Sequence, residues 1–311
     1  MSQEHPSFAI IGTGALGGYY GARLAQAGHD VHFLCHRDGP HIREKGLIVE
    51  SAGRSILHLR AHAYDRPEDM PRCDAVILAL KTTANHALPE LLPPVVKPGG
   101  VVVVMQNGWD VEKDAAAAAP GQLVIGALCF LCANKPAPGY VLHLDYGDIL
   151  LGWHRETGDH VSADRWMSVL GRCLDDAHIG NDRSPDLRLA RWKKLVWNIP
   201  YNGLSVAYRT TTDRLMADPA RRNEVEAIMR EVQGLAAACG CVIEDAFVQK
   251  MLDDTERMKP YKTSMLLDFE AGRSMELETM YERPLRAGED AGGRAPRIRA
   301  LWERLRALQG G

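Results

Sequence analysis

The sequence predicts a doubly wound α/β domain followed by an all-helical domain, and three observations predict it. A short apolar run, a glycine-rich turn and a helical stretch open the chain. Val/Ile/Leu-rich runs then alternate with helical stretches, and beyond residue 185 the strand-like runs stop. At 311 residues the chain is longer than one core usually serves. The boundary is expected near residue 184, giving a first domain over residues 1–184 and a second over residues 185–311.

The elements follow in order. SFAII (7–11) is a buried strand, GTGALGG (12–18) a turn, and YYGARLAQAGH (19–29) a helix stopped at Gly28. DVHFLCH (30–36) alternates as a second strand does. DAVILAL, ending before Lys81, and GGVVVVMQ, ending before Asn107, are apolar enough to be parallel strands buried on both faces. WDVEKDAAAAA (109–119) is helical and QLVIGALCFL (122–131) is a strand. GYVLHLDYGDILLGW (139–153) reads as a hairpin appended to the sheet. In the second domain, residues 221–240, 244–258 and 296–309 space their apolar side chains by three and four, as amphipathic helices do.

Bulk properties exclude several function classes. Apolar content of 46% and charged content of 25% suit an ordinary globular protein, and a net charge of -3 gives no support for nucleic-acid or membrane partners. No uncharged apolar stretch approaches the roughly 20 residues that span a bilayer. The opening MSQEHPSFAI lacks the basic segment and long apolar run of a signal peptide. Seven cysteines without a regular framework point to a reduced, cytoplasmic chain. Cys129 and Cys132 form a C-x-x-C inside what reads as a buried strand, where they would face opposite ways, so no redox or zinc role is expected. No ligand cluster suggests a metal, and the arginines of the last helix read as a solvated face. All twelve histidines lie between His5 and His178, so an acid or base from the C-terminal half must be lysine, carboxylate, tyrosine or cysteine.

The turn running through Gly12, Thr13, Gly14, Ala15, Leu16 and Gly17 is G-x-G-x-x-G between a strand and a helix, the context in which that motif cradles a dinucleotide pyrophosphate. The first glycine permits the turn, the second admits the pyrophosphate, and the third lets helix and strand approach. The following helix N-terminus supplies N–H groups and positive potential. At the end of the second strand an NAD enzyme usually carries an acid. This chain has His36 and Arg37, which suit a 2′-phosphate and favour NADPH, although a one-residue shift would bring Asp38 into play. Lys81 and Asn107 end two further strands at the edge where α/β sheets bind ligands. A surface lysine and a plain Asn-Gly turn are the bland readings. Three polar endings on one rim weigh against both.

In RLARWKKLVWNIPYN (188–202), Lys194, Asn198 and Asn202 recur every four residues and share one helical face bordered by large apolar side chains. From spacing alone, a pocket wall and a solvated stripe both remain open. Farther on, Ser264 and Glu276 stand twelve residues apart. Glu276 lies between Met275 and Leu277, where a partly buried carboxylate needs a partner such as a lysine ammonium.

Taken together, GTGALG, LKT, QNG, KLVWNIPYN and SMLLDFEAGRSMELE, in that order along nearly the whole chain, resemble the ketopantoate reductase family (2-dehydropantoate 2-reductases). The resemblance implies a Rossmann-type domain and a helical domain, with NADPH and substrate in the cleft between them. It implies that Lys194 is the catalytic lysine, which polarises the keto oxygen and supplies the proton. It further implies that Asn198 and Asn202 line the substrate pocket, that Ser264 and Glu276 bind substrate and support the lysine, and that Lys81 and Asn107 lie at the nicotinamide side. One position departs: the family often has arginine at the place of His36, and here the arginine is Arg37. The implied activity is NADPH-dependent reduction of a small-molecule 2-oxo acid, 2-dehydropantoate to pantoate foremost, a step of pantothenate biosynthesis. A reductase or dehydrogenase of another 2-oxo or 3-hydroxy acid is the near alternative, and a non-catalytic NADP-binding sensor the distant one. A homodimer is compatible with the resemblance.

Overall fold

The computed structural model describes residues 5–51 and 55–310; residues 1–4 of the opening segment read for a signal peptide lie outside them. The chain forms two compact units. The first comprises Met1–Gln106 and Val111–Leu187, the second Asn107–Asp110 and Arg188–Gly311. The division after Leu187 has an excursion that the expected break near residue 184 did not contain: four residues after a first-unit strand belong to the second unit.

In the first unit the elements run β1 (Phe8–Ile11), α1 (Ala15–Gln26), β2 (Val31–Leu34), α2 (Gly39–Lys45), β3 (Leu47–Ser51), β4 (Ser55–Leu59), β5 (His62–Tyr64) and β6 (Cys73–Leu78). After these come α3 (Leu88–Leu91), β7 (Val96–Val104), α4 (Val111–Ala118), β8 (Leu123–Ala137), β9 (Tyr140–Trp153), α5 (His160–Asp176) and β10 (Asn181–Ser184). The sheet order is β4-β3-β9-β8-β7-β6-β1-β2-β5, with β10 beside β9. Strands β5, β2, β1, β6, β7 and β8 are mutually parallel. Counted by chain order within that run they are 3-2-1-4-5-6, the dinucleotide-binding arrangement, whose order reverses between β1 and β6. Phe8–Ile11, Val101–Val104 and most of Cys73–Leu78 are almost wholly buried, as strands covered on both faces must be.

Two expectations change. Strands β3, β4 and β5 occupy a stretch in which the sequence reading placed no element. Within 139–153, expected as a hairpin of its own, Tyr140–Trp153 is a single strand. β9 pairs antiparallel with β8, and the hairpin turn is at Pro138–Gly139. Asp145–Gly147, which resembles a turn in sequence, is an irregularity inside β9, with Tyr146 at φ 59° and Gly147 at φ 145°. Such a bulge bends a strand without ending it.

The second unit is helical: α6 (Leu187–Ala207), α7 (Thr212–Ala217), α8 (Pro219–Ala238), α9 (Asp245–Arg257), α10 (Ser264–Glu270), a π-turn (Glu278–Glu282), α11 (Arg283–Asp290) and α12 (Pro296–Gly310). Its core gathers around α6, which buries Trp192, Leu195, Val196, Ile199, Tyr201 and Leu204. Burial of each such side chain stabilises by about 2 kcal/mol, so the rotation of α6 about its axis is tightly set. Several α12 arginines are engaged: Arg299 pairs with Glu289, and Arg304 donates to the Ala207 carbonyl while lying 5.1 Å from the Tyr208 ring centre. Among the described residues no helix is long and apolar enough to cross a membrane, and no group of three His, Cys, Asp or Glu side chains could hold a metal.

Candidate active site

The glycine turn lies at the point where the strand order reverses. Gly12 has φ +100°, and a Cβ there would stand 2.6 Å from the Leu80 backbone nitrogen, just past β6. A Cβ on Gly17 would collide with the Gly12 carbonyl and come within 3.1 Å of Ala79. The turn therefore rests on the segment leading from β6 to Lys81, and the Ala79 amide donates to the Ile11 carbonyl at 2.8 Å. Thr13 is buried, its hydroxyl donating to the Leu34 carbonyl at 3.0 Å, which ties the turn to the end of β2.

Gly14 differs from its neighbours. Its φ of -80° and ψ of -159° suit any residue, and a Cβ there meets nothing within 4 Å. Among the described residues nothing calls for glycine at this position. Close approach of a ligand to the backbone does call for it, and the residues present fit a dinucleotide pyrophosphate. Gly14 is also the N-cap of α1, provides no side-chain cap, and is followed by Ala15 and Leu16 with no acid in the first turn. The helix N-terminus thus keeps its positive potential.

Beyond β2, His36 and Arg37 are exposed, and their side chains make no hydrogen bond or ion pair among the described residues. Asp38 is turned elsewhere. Its carboxylate pairs with Lys135 of β8 and accepts from the Gly139 amide at 3.1 Å. Lys135 also donates to the Thr13 carbonyl at 2.6 Å, so one ammonium joins the glycine turn to the loop after β2. Lys81 is the exposed N-cap of the 3₁₀ turn Thr82–Ala87. The nearby Gln106 is buried, and its Nε2 donates to the Leu80 carbonyl and the Asn85 side chain. Asn107 is packed as part of the second unit. There Gly108 lies against Thr279, and the Trp109 amide donates to the Thr279 carbonyl at 2.8 Å.

In the second unit α6 runs unbroken from Leu187 to Ala207, so Lys194, Asn198 and Asn202 do occupy one helical row. Lys194 is half-buried. Its neighbour Lys193 points to a different place, its Nζ 5.4 Å from the centre of the Phe247 ring on α9. Asn198 is only 8% exposed, yet its carboxamide has no hydrogen-bond partner among the described residues. Its amide atoms are not among the fully enclosed polar atoms that lack a partner, so they reach the surface of the second unit, where water or a ligand can bond them. Asn202, 4% exposed, donates to the Asn198 carbonyl at 3.0 Å and accepts from the Met265 amide at 3.4 Å. It still retains an N–H and a lone pair.

That bond to Met265 fastens α6 to the start of α10, where Ser264 is the exposed first residue. Beside it, the Ser205 and Thr263 hydroxyls lie 2.7 Å apart, and Thr263 caps α10. Glu276 is half-buried between the buried Met275 and Leu277, directly before the π-turn, and its carbonyl accepts from the Met280 amide. Single π-turns recur at functional sites. Tyr281, inside the π-turn and fully buried, donates to the Ile199 carbonyl of α6 at 2.9 Å. Its hydroxyl is held far from ionisation by burial. α6 is therefore bonded to both segments that carry Ser264 and Glu276.

The match to known proteins is extensive. The model of the ketopantoate reductase PanE/ApbA family matches residues 8–156, and that of its C-terminal region matches residues 186–309. The chain belongs to the ketopantoate reductase family. The 2-dehydropantoate 2-reductase of Nostoc sp. is 47% identical over 97% of this chain and 95% of its own. The crystal structure of 2-dehydropantoate 2-reductase from Geobacter metallireducens superposes with a TM-score of 0.92 at 37% identity, covering 97% of this chain and 99% of that one. A D-mandelate dehydrogenase bound to NADH and anilino(oxo)acetate shares the fold, with a TM-score of 0.88 at 21% identity and coverage of 98% of both chains.

Against this ketopantoate reductase background, two features of the site were absent from the sequence reading. Lys135 reaches the glycine turn across 122 positions of sequence, so no local pattern could announce it. The pairing of Ser205 with Thr263 spans 58 positions and is equally silent. A Ser or Thr directly before an apolar helical run is a cap signal, and Thr263 fits it.

Proposed function

We propose that the protein reduces a small 2-oxo acid, 2-dehydropantoate foremost, to the 2-hydroxy acid. When bound, NADPH supplies the hydride that adds to the keto carbon. The backbone from Gly12 to Gly17, with the N-terminus of α1, holds the pyrophosphate, while His36 and Arg37 hold the 2′-phosphate. Lys81 and Asn107 serve the nicotinamide end. Lys194 keeps a proton on Nζ, polarises the keto oxygen, and gives that proton up as negative charge develops there. Glu276 keeps Lys194 charged and oriented. Asn198 bonds the substrate, Asn202 lines the same wall, and Ser264 offers its exposed hydroxyl.

The observation that carries this reading is the carboxamide of Asn198, without a protein partner among the described residues and one helical turn from Lys194, in a chain of this family. The proposal extends to a cytoplasmic location and a homodimer, which cell fractionation and sedimentation equilibrium check. The activity is tested by following NADPH oxidation over a panel of 2-oxo acids that includes ketopantoate and a phenyl-substituted acid. Preference for ketopantoate supports the proposal. Preference for the phenyl acid would move the substrate assignment, and tight NADPH binding without turnover on any acid would make the protein a sensor.

A further inference from the structure

We propose that Lys135 is a cofactor-selecting residue that acts by neutralising Asp38 beside the glycine turn. The inference rests on the reading that the first unit binds NADPH. Three observations carry it. Asp38 is the first acid after β2, two positions past His36, where a carboxylate able to reach the adenine ribose favours NADH and repels a 2′-phosphate. It is the N-cap of α2, yet it makes no side-chain bond to its own helix, as an N-cap aspartate ordinarily does. Its carboxylate is committed instead to Lys135 and to the Gly139 amide in the β8–β9 turn.

The pair is largely shielded from water, with side-chain exposures of 23% for Lys135 and 15% for Asp38, and it touches the turn itself through the Thr13 carbonyl. Removing one member of such a pair leaves the other charge uncompensated. Without the ammonium, a lone carboxylate would stand at the head of the loop that carries His36 and Arg37. It would oppose the two negative charges of a 2′-phosphate while offering the ribose hydroxyls of NADH an acceptor. Lys135 is therefore a positioning and charge-balancing residue, and β8 has a part in cofactor choice although it lies far from β2 in sequence.

The test measures dissociation constants for NADPH and NADH by quenching of tryptophan fluorescence, with thermal unfolding as a check on folding. The proteins are wild type, Lys135→Met, Asp38→Asn and the double variant. Lys135→Met should weaken NADPH by about tenfold, the size of one poorly screened charge at short range, and leave NADH within about twofold. Asp38→Asn should bind NADPH at least as tightly as wild type, and the double variant should recover most of the affinity lost by Lys135→Met. Equal weakening of both dinucleotides would assign Lys135 to support of the Thr13 carbonyl and overturn the inference. Loss of NADPH affinity that Asp38→Asn does not restore would mean direct contact between Lys135 and phosphate, which overturns it also. A wild type that binds neither dinucleotide would overturn the cofactor reading and, with it, this one.

Discussion

The glycine turn of the first unit and the α6 row of the second build their candidate sites by opposite means. At the turn the backbone is the instrument. Gly12 and Gly17 are demanded by protein atoms, Leu80 and the Gly12 carbonyl, whereas Gly14 is demanded by none. Along α6 the side chains are the instrument and the buried core fixes their direction, with Asn202 fastened to α10 and Asn198 left unengaged. In each place the fold explains a residue, as it does Gly17 and Asn202, and leaves a close neighbour, Gly14 or Asn198, unexplained. The unexplained member is the one assigned to a ligand.

Substitutions that separate the two members of each pair test this comparison. Gly14→Val should lose NADPH binding by a hundredfold or more, since its side chain would occupy the pyrophosphate path, with a melting temperature like that of wild type. Gly17→Val should instead lose about 1–3 kcal/mol of stability through overpacking, read by urea unfolding. If both glycine variants lose stability alike, Gly14 has a structural role that its surroundings do not reveal.

A smaller effect is expected at the 2′-phosphate. Arg37→Ala should raise the NADPH dissociation constant by about tenfold, the loss of one charge-assisted contact, and barely alter that of NADH. Equal effects on the two would remove Arg37 from the phosphate.

On α6, Asn198→Ala should lower kcat/KM by about tenfold, one hydrogen bond to an anionic substrate, at nearly unchanged stability. Asn202→Ala should cost about 2 kcal/mol of stability, because two bonds of about 1 kcal/mol each are lost. Reversal of these two profiles would show that the fold and not the ligand claims Asn198.

The same contrast explains what could be read in advance. The turn was legible because glycine spacing reports backbone conformation and close approach, which are local properties. The Lys194–Asn198–Asn202 row was legible as a row because a long helix repeats regularly, but its use was not. Spacing cannot tell a pocket wall from a solvated stripe, and only the family pattern decided between them. Strands β3 to β5 were missed because three to five residues of mixed polarity leave too short a period to detect. Residues 139–153 are expected as a hairpin of their own, yet the pairing with β8 carries the chain through Asp145–Gly147 as a bulge, and such cross-strand pairing leaves no local signal. The grouping of Asn107 with the second unit goes with the packing of the following Gly108 and Trp109 against Thr279, and the place of Lys135 with an ion pair distant in sequence. Neither leaves a trace in nearby residues.

The central claim is that Lys194 supplies the proton, and the most direct measurement is kcat with NADPH and ketopantoate for Lys194→Ala beside Lys193→Ala. A positioned acid is worth about 10² to 10⁴ in rate, so Lys194→Ala should fall by that factor with an unchanged NADPH dissociation constant. Lys193→Ala gives up its contact with the Phe247 ring and should keep nearly full turnover. Full activity in Lys194→Ala, or loss confined to Lys193→Ala, would contradict the account.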